Sequence, residues 1–228
     1  GEEDRILHAA EILRLRDVVE LTLLGNVDEV RARIDALGLR LDDVPIIDPL
    51  NSELREQYAG TYFALRRHKG ISEQMAVDAM ADVSYFGTLM VKLGQADGLV
   101  AGAIHSSGDT LRPALQLIKS APGISTVSSM FFMCFPDKVL MFSDCGLVED
   151  PTEKQLVDIA VSTAKTALQF GFEARVAMLS YSTKGSASGP NAMKIAVASE
   201  KARQAVANIF GETVTLDGEL QFDAAYVP

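Results

Sequence analysis

Apolar and polar positions alternate along the chain in two rhythms. Over residues 6–15 the apolar residues Ile6, Leu7, Ala10 and Leu13 recur at helical spacing and predict a helix. Residues 18–24 form a compact apolar run that reads as a strand, ended by Gly25-Asn26. The helical rhythm returns over residues 27–37 and closes at Gly38, a residue suited to the left-handed turn after a helix. Residues 44–47 predict a short strand, stopped by Asp48-Pro49. Residues 53–67 and 72–93 read as helices, the second broken near Asp82 to Ser84. Residues 99–104 are a short continuous apolar run, as expected of a strand buried on both faces. This alternation predicts an α/β fold with a largely parallel sheet.

The rhythm then changes. Residues 127–135 and 139–142 are strand-like and separated by Pro136-Asp137-Lys138, which predicts a hairpin. In Asp150-Pro151-Thr152-Glu153, Asp150 can cap a helix, Pro151 can take its first position and Glu153 can close a capping box. That helix should run to about Phe170. Residues 176–179 read as a strand, followed by a polar loop and a helix from about Asn191 to Phe210. Ala-Pro-Gly after a helix places a domain boundary near residues 120–123, giving domains 1–121 and 122–228. Met75, Met80 and Met90 fall at helical positions and are expected in the core.

Composition narrows the function class. The chain has 228 residues, 48% of them hydrophobic and 23% charged, an ordinary globular mixture. Its two cysteines, Cys134 and Cys145, cannot form a disulfide framework and lack zinc-ligand spacing; His8, His68 and His105 are scattered, so no metal site is expected. With 31 acidic against 21 basic residues the net charge is −10, and no basic run exceeds Arg66-Arg67-His68-Lys69, which disfavours nucleic acid as a partner. A few focused positive groups can still hold a small anion in such a field. Apolar stretches such as residues 98–104 fall short of the roughly 20 residues of a membrane span. The acidic start has no signal-peptide layout, and a cytoplasmic location is expected. Because residue 1 is Gly, residues upstream are expected to have been cut or omitted.

Three segments could carry chemistry. The first, residues 102–113, follows the strand expected at 99–104 and enters a helix. Ligands of open α/β sheets bind at such strand ends, where hydroxyls, glycine and a helix N-terminus present donors. Arg112 adds a planar fork suited to phosphate. The plainer alternative is an ordinary capped loop, with Ser107 or Asp109 as cap and Arg112 on the surface. The segment lacks the Gly-Lys-Ser/Thr ending of a Walker A loop. The second, residues 179–191, gathers hydroxyls around Lys184 and reads as a second anion cradle or as a flexible polar loop. The third, residues 65–70, places bases at a helix C-terminus, where the helix dipole alone favours them. His105 could touch ligand or simply satisfy the strand end. Cys145 could be proposed as a nucleophile, but a small buried thiol is the simpler reading.

Taken together, these strings resemble one family. Leu-Arg-Arg-His-Lys-Gly (65–70), Asp-Gly-Leu-Val-Ala-Gly (97–102), His-Ser-Ser-Gly-Asp-Thr-Leu-Arg-Pro (105–113), Met-Leu-Ser-Tyr-Ser-Thr-Lys-Gly-Ser-Ala (178–187) and Asp-Gly-Glu-Leu-Gln-Phe-Asp-Ala-Ala (217–225) look like phosphate acetyltransferase, or phosphotransacetylase, in that family's order and over essentially the whole chain. The resemblance implies an isocitrate/isopropylmalate dehydrogenase-like fold. That is two α/β domains, three-layered with mostly parallel sheets, an active-site cleft between them, and usually a homodimer. It implies reversible transfer of an acetyl group between CoA and inorganic phosphate, with acetyl-CoA/CoA and phosphate/acetyl phosphate as substrates. No redox cofactor and no covalent acyl-enzyme are implied. The CoA thiol, deprotonated by a general base, attacks acetyl phosphate directly. The family's phosphate-binding and catalytic arginines match Arg66 and Arg112. The hydroxyls of Ser106, Ser107 and Thr110, and the loop residues Tyr181, Ser182, Thr183 and Lys184, fall where family members line the cleft.

Two departures matter. Gly108 stands where the family often has Ser or Ala. The family also continues past residue 228 with a Ser-Arg-Gly-Cys segment and the aspartate believed to be the base, and it has a strand ahead of residue 1. The first domain is therefore expected to be incomplete at both ends, and the 228-residue chain alone to be inactive. The alternatives are a non-catalytic acetyl-CoA-sensing domain of a malic-enzyme-type protein, disfavoured by the intact arginines and hydroxyl loop, and a phosphate butyryltransferase.

Overall fold

The computed structural model describes residues 1–122 and 124–227. Gly123, the last residue of the expected boundary, and Pro228 lie outside the described residues. The chain divides into two compact units, Gly1–Lys119 and Ser120–Pro228.

The first unit begins with a helix followed by a βαβ unit, its helices set by local caps. Helix α1 (Asp4–Arg16) starts where the Glu3 carboxylate accepts from the Ile6 amide and ends at Asp17 in the left-handed region. Helix α2 (Val27–Leu37) starts on Asn26, whose side-chain oxygen accepts from Glu29 N–H, and ends on Gly38 at φ +65°, a conformation glycine takes without a Cβ clash. Strands β1 (Leu23–Leu24) and β2 (Ile46–Ile47) pair in parallel with α2 as the crossover. Leu7, Leu23, Val30, Ile34 and Leu41 close one core. A second core joins Tyr58 and Tyr62 of α3 (Leu54–Arg66), Ala76 of α4 (Glu73–Ala79), Phe86 and Leu89 of α5 (Val83–Lys92) and Leu117 of α6 (Ser107–Leu117). The break expected near Asp82 is there, because the Asp82 carboxylate caps α5 through the Ser84 and Tyr85 amides.

Two apolar runs differ from expectation. Of residues 18–24 only Leu23–Leu24 form a strand, and β2 likewise covers only the last two residues of 44–47. Residues 99–104 form no strand, and Val100 and Ile104 are 86% and 65% exposed. A strand needs a neighbour's N–H and C=O groups as well as apolar side chains, and this segment has no ladder partner among the described residues. Instead Leu99, Val100 and Ala101 form one wall of an open, mostly apolar groove of about 430 Å³ against Val91 of α5 and Thr110, Leu111 and Ala114 of α6. Met80 and Met90 are buried as expected, whereas Met75 is 51% exposed because it lies on the outer face of α4.

The second unit opens with the expected hairpin. Strands β3 (Met130–Cys134) and β4 (Val139–Ser143) pair antiparallel, and the turn closes with Phe135 N–H donating to the Lys138 carbonyl at 2.8 Å. Helix α7 (Glu153–Gln169) corrects the expected cap. Thr152 is the N-cap, and Gln155 rather than Glu153 closes the capping box. Asp150 is drawn away to Lys194, 2.6 Å off. Strand β5 (Ala174–Leu179) runs through α8 (Pro190–Phe210) to the parallel strand β6 (Val214–Leu220), a βαβ unit. Ala160 and Ala164 of α7 and Ala198 and Ala202 of α8 are buried together, small side chains that let the packed elements approach closely. Strand β6 has no counterpart in the sequence reading, although Val214 and Leu216 alternate inward with Thr215 and Asp217 outward. The observed architecture is thus mixed α/β, with three two-stranded sheets, two parallel and one antiparallel, among the described residues.

Candidate active site

In the first unit the helices α3 and α6, which carry Arg66 and Arg112, are tied together near their C-terminal ends. Tyr62 and Tyr85 both donate to the side-chain oxygen of Gln116, at 3.0 and 3.2 Å, and their rings meet edge-on at 5.4 Å. Arg66 sits one turn beyond Tyr62 on α3, and Arg112 one turn before Gln116 on α6. The Arg66 Nε–H is buried and has no hydrogen-bond partner among the described residues. An orphaned buried donor is rare in folded proteins and costly to leave unpaired. Arg112 is 58% exposed, and its tie is an ion pair of 3.6 Å to Asp109, too long for a hydrogen bond. Burial pushes the Tyr85 phenol up to about 12, with Tyr62 adding to the rise and the charge of Arg112 opposing it.

The hydroxyls at the start of α6 divide their work. Ser106, rather than Ser107 or Asp109, is the N-cap. Its Oγ accepts from Asp109 N–H at 3.2 Å and donates to the Asp109 carboxylate at 2.7 Å. The Thr110 hydroxyl donates back to the Ser106 carbonyl at 3.0 Å. Ser107 and Gly108, exposed in the first turn, carry amides that an α-helix leaves without an intrahelical acceptor. In residues 65–70, Arg67, His68 and Lys69 form an exposed 3-10 turn closed by Gly70, as a helix end favours.

The second candidate segment is an organised loop. Tyr181 is exposed, while Ser182 is fully buried. The Ser182 hydroxyl donates to Glu219 at 3.2 Å and accepts from the Ala187 amide at 3.1 Å. The Thr183 hydroxyl donates to the Gln221 side chain at 3.3 Å and accepts from the Gln221 amide at 2.9 Å. Lys184 takes a left-handed backbone (φ +49°), and its ammonium pairs with Asp217 and donates to the Gly218 carbonyl at 3.1 Å. Gly218 has no room for a Cβ, which would stand 2.6 Å from Met178 Cβ and 2.7 Å from Ser199 Oγ.

Asp144 organises the loop that carries Cys145. Its carboxylate accepts from Ser129 N–H (2.6 Å), Ser129 Oγ (2.7 Å), Leu147 N–H (2.9 Å), Val148 N–H (2.8 Å) and Gly146 N–H (3.3 Å). Burial alone would raise this carboxyl, but the bonds from Val148, Ser129 and Leu147 outweigh it and hold it well below the usual carboxylate range. Cys145 is half-buried rather than the buried thiol the sequence suggested, and Cys134 is exposed. Among the described residues no group of three or more His, Cys, Asp or Glu could hold a metal ion. None of their helices is long and apolar enough to cross a membrane.

The sequence model of the phosphate acetyl/butaryl transferase family matches residues 1–228. The chain belongs to this family. A phosphate acetyltransferase of Synechocystis is 46% identical over 227 residues, 99% of this chain and 32% of that protein. One of Staphylococcus epidermidis is 43% identical over 228 residues, 100% of this chain and 69% of that protein. Thus the chain spans about a third of the first relative and about two thirds of the second. A solved phosphotransacetylase from Staphylococcus aureus superposes with a TM-score of 0.89 at 42% identity, covering 100% of this chain and 68% of that one. A branched-chain phosphotransacylase from Enterococcus faecalis, at 16% identity and a TM-score of 0.59, shares the fold. Sequence reading did not single out Tyr62, Tyr85, Gln116 and Glu219, the residues that hydrogen-bond around the candidate segments. The four-residue spacings of Tyr62 to Arg66 and Arg112 to Gln116 were the available signal for two of them.

Proposed function

We propose that the protein is a phosphate acetyltransferase, which moves an acetyl group reversibly between CoA and inorganic phosphate. The observation that carries this reading is the family match across the whole chain, together with 42–46% identity to phosphate acetyltransferases. The sulfur of the CoA thiolate attacks the carbonyl carbon of acetyl phosphate. A C–S bond forms, the C–O bond to phosphate breaks, and phosphate leaves with the electron pair. Arg112, loosely held, and Arg66, with its unpaired Nε–H, are the groups that meet the phosphate dianion. The free amides of Ser107 and Gly108 and the Ser107 hydroxyl supply donors for the developing oxyanion, while the Ser106 and Thr110 hydroxyls order the start of α6 beside it. Tyr181, Thr183 and Lys184 bind the substrate from the second loop, with Ser182 holding that loop from inside. The thiol proton goes to a general base that we assign to none of these residues. The dehydrogenase-like two-domain arrangement, with boundaries at 1–121 and 122–228, the homodimer and the cytoplasmic location belong to the same proposal.

Thioester formation from acetyl phosphate and CoA by the full-length protein tests it, read by ultraviolet absorbance. Turnover is expected, and Arg112→Ala should lower kcat/KM for acetyl phosphate by roughly a hundredfold. Absence of thioester from the wild-type protein would refute the reading. Unchanged phosphate kinetics in Arg112→Ala would remove Arg112 from the site.

A further inference from the structure

The stretch from Asp217 to Ala225 carries part of the family resemblance, yet the reaction as read above gives it no task. The β5–β6 register explains what it does. Met178 pairs with Gly218 and Leu179 with Leu220, so Glu219 is skipped at a bulge. A bulge re-aims the extra residue. Here Glu219 turns inward, 5% exposed, beneath the loop that follows β5.

It hydrogen-bonds three residues of that loop. Glu219 Oε1 accepts from the Gly185 amide at 2.6 Å and from the Ser182 hydroxyl at 3.2 Å. The Glu219 carbonyl accepts from the Lys184 amide at 3.1 Å. Ser182 passes the constraint on, since its Oγ accepts from the Ala187 amide. Lys184 and Gly185 both have positive φ, +49° and +83°, a turn that needs outside support when its first residue is not glycine. The Gly185 amide, foremost among these bonds, also holds the Glu219 carboxyl below its usual range, as a carboxylate kept ionised by main-chain donors should be.

We propose that Glu219 is a positioning residue: through Ser182 and the Gly185 amide it holds Tyr181, Thr183 and Lys184 in the arrangement that acyl transfer uses. This rests on the phosphate acetyltransferase reading. The test uses the full-length protein with Glu219→Ala and Glu219→Gln, and two readouts. Hydrogen exchange reports the loop, and steady-state kinetics with acetyl phosphate and CoA report its use. Alanine removes the carboxylate, so exchange at Gly185, and through Ser182 at Ala187, should quicken while the β5 and α8 amides keep wild-type protection. The kcat/KM should then fall about a hundredfold. Glutamine keeps an acceptor oxygen in place and should restore kcat/KM to within about tenfold of wild type. Wild-type exchange in the alanine variant overturns the proposal. So does quickened exchange with unchanged kinetics, which leaves Glu219 a structural clamp only. If Glu219→Ala loses the β5 and α8 protection as well, Ser182→Ala replaces it. That variant should quicken Ala187 exchange and cost about tenfold in kcat/KM, and wild-type values for both would overturn the proposal. A wild-type protein without turnover refutes the activity reading, while the exchange pattern still decides the clamp.

Discussion

Replacing Asp144 by asparagine should loosen the loop from Ser143 to Val148 by an amount that its bonding pattern sets. Oδ2 accepts from the amides of Gly146, Leu147 and Val148, and Oδ1 accepts from the Ser129 amide and hydroxyl. The asparagine oxygen does least harm on the Oδ2 side, where three amides converge. Its NH₂ then faces Ser129. The Ser129 hydroxyl can rotate and accept, since it has a second lone pair beside the one used by Cys145 N–H. The Ser129 amide cannot, and an unpaired backbone donor costs about 1–3 kcal/mol. Loss of charge on the remaining bonds adds about 1 kcal/mol. A total of about 3 kcal/mol corresponds to roughly a hundredfold faster exchange at the Leu147 and Val148 amides. The pH dependence gives a second check. The folded carboxyl titrates below its unfolded value of about 3.9, so its stabilisation is whole above that pH and is lost as pH falls through the folded value. The difference in protection between wild type and Asp144→Asn should therefore be full at pH 7 and smaller at about pH 3. Equal exchange at pH 7, or a difference that grows on acidification, would refute the reasoning.

Further outcomes follow from other sites. Tyr85, pushed up to about 12 by burial, should stay protonated where free tyrosine is half ionised, and any stability it contributes should fade only as pH rises towards that value. In an ultraviolet titration, Tyr85→Phe should remove amplitude from the highest step and none from the step near 10. Thr152→Ala should cost about 1 kcal/mol through the lost cap, seen as faster exchange in the first turn of α7. Ala198→Leu forces a larger side chain into a fully buried position and should destabilise the second unit by about 1–3 kcal/mol in urea unfolding. On the proposed activity, Cys145→Ala in the full-length protein should keep most of the turnover, because direct attack by CoA would need no enzyme thiolate; a folded but inactive variant would revive the nucleophile.

Legibility followed locality. Both ends of α2 could be read because Asn26 and Gly38 act on neighbours three or four residues away. The β3–β4 turn was legible for the same reason. At α7, Asp150 and Thr152 are both competent caps, and the sequence could not choose between them. Lys194, forty-four residues on, binds Asp150, and Gln155 completes the box with Thr152. Met75 and Met80 share a helical rhythm, but only the helix's orientation against Tyr58 and Phe86 decided which of them is buried. Residues 99–104 look like a buried strand because apolar character is local, whereas ladder partners are not.

The linear chain determined the α/β alternation and the family, since each is written in short contiguous strings. Folding alone decided which of the polar groups remain free for chemistry. Ser182 is consumed by Glu219, thirty-seven residues away, while the Lys184 ammonium is oriented by Asp217 with donor capacity to spare. Arg66 keeps an unpaired donor, because no acceptor among the described residues reaches its Nε. Hydrogen-bond satisfaction is a property of three-dimensional neighbours, and a spacing of residues fixes a face of a helix or strand but not what comes to meet it.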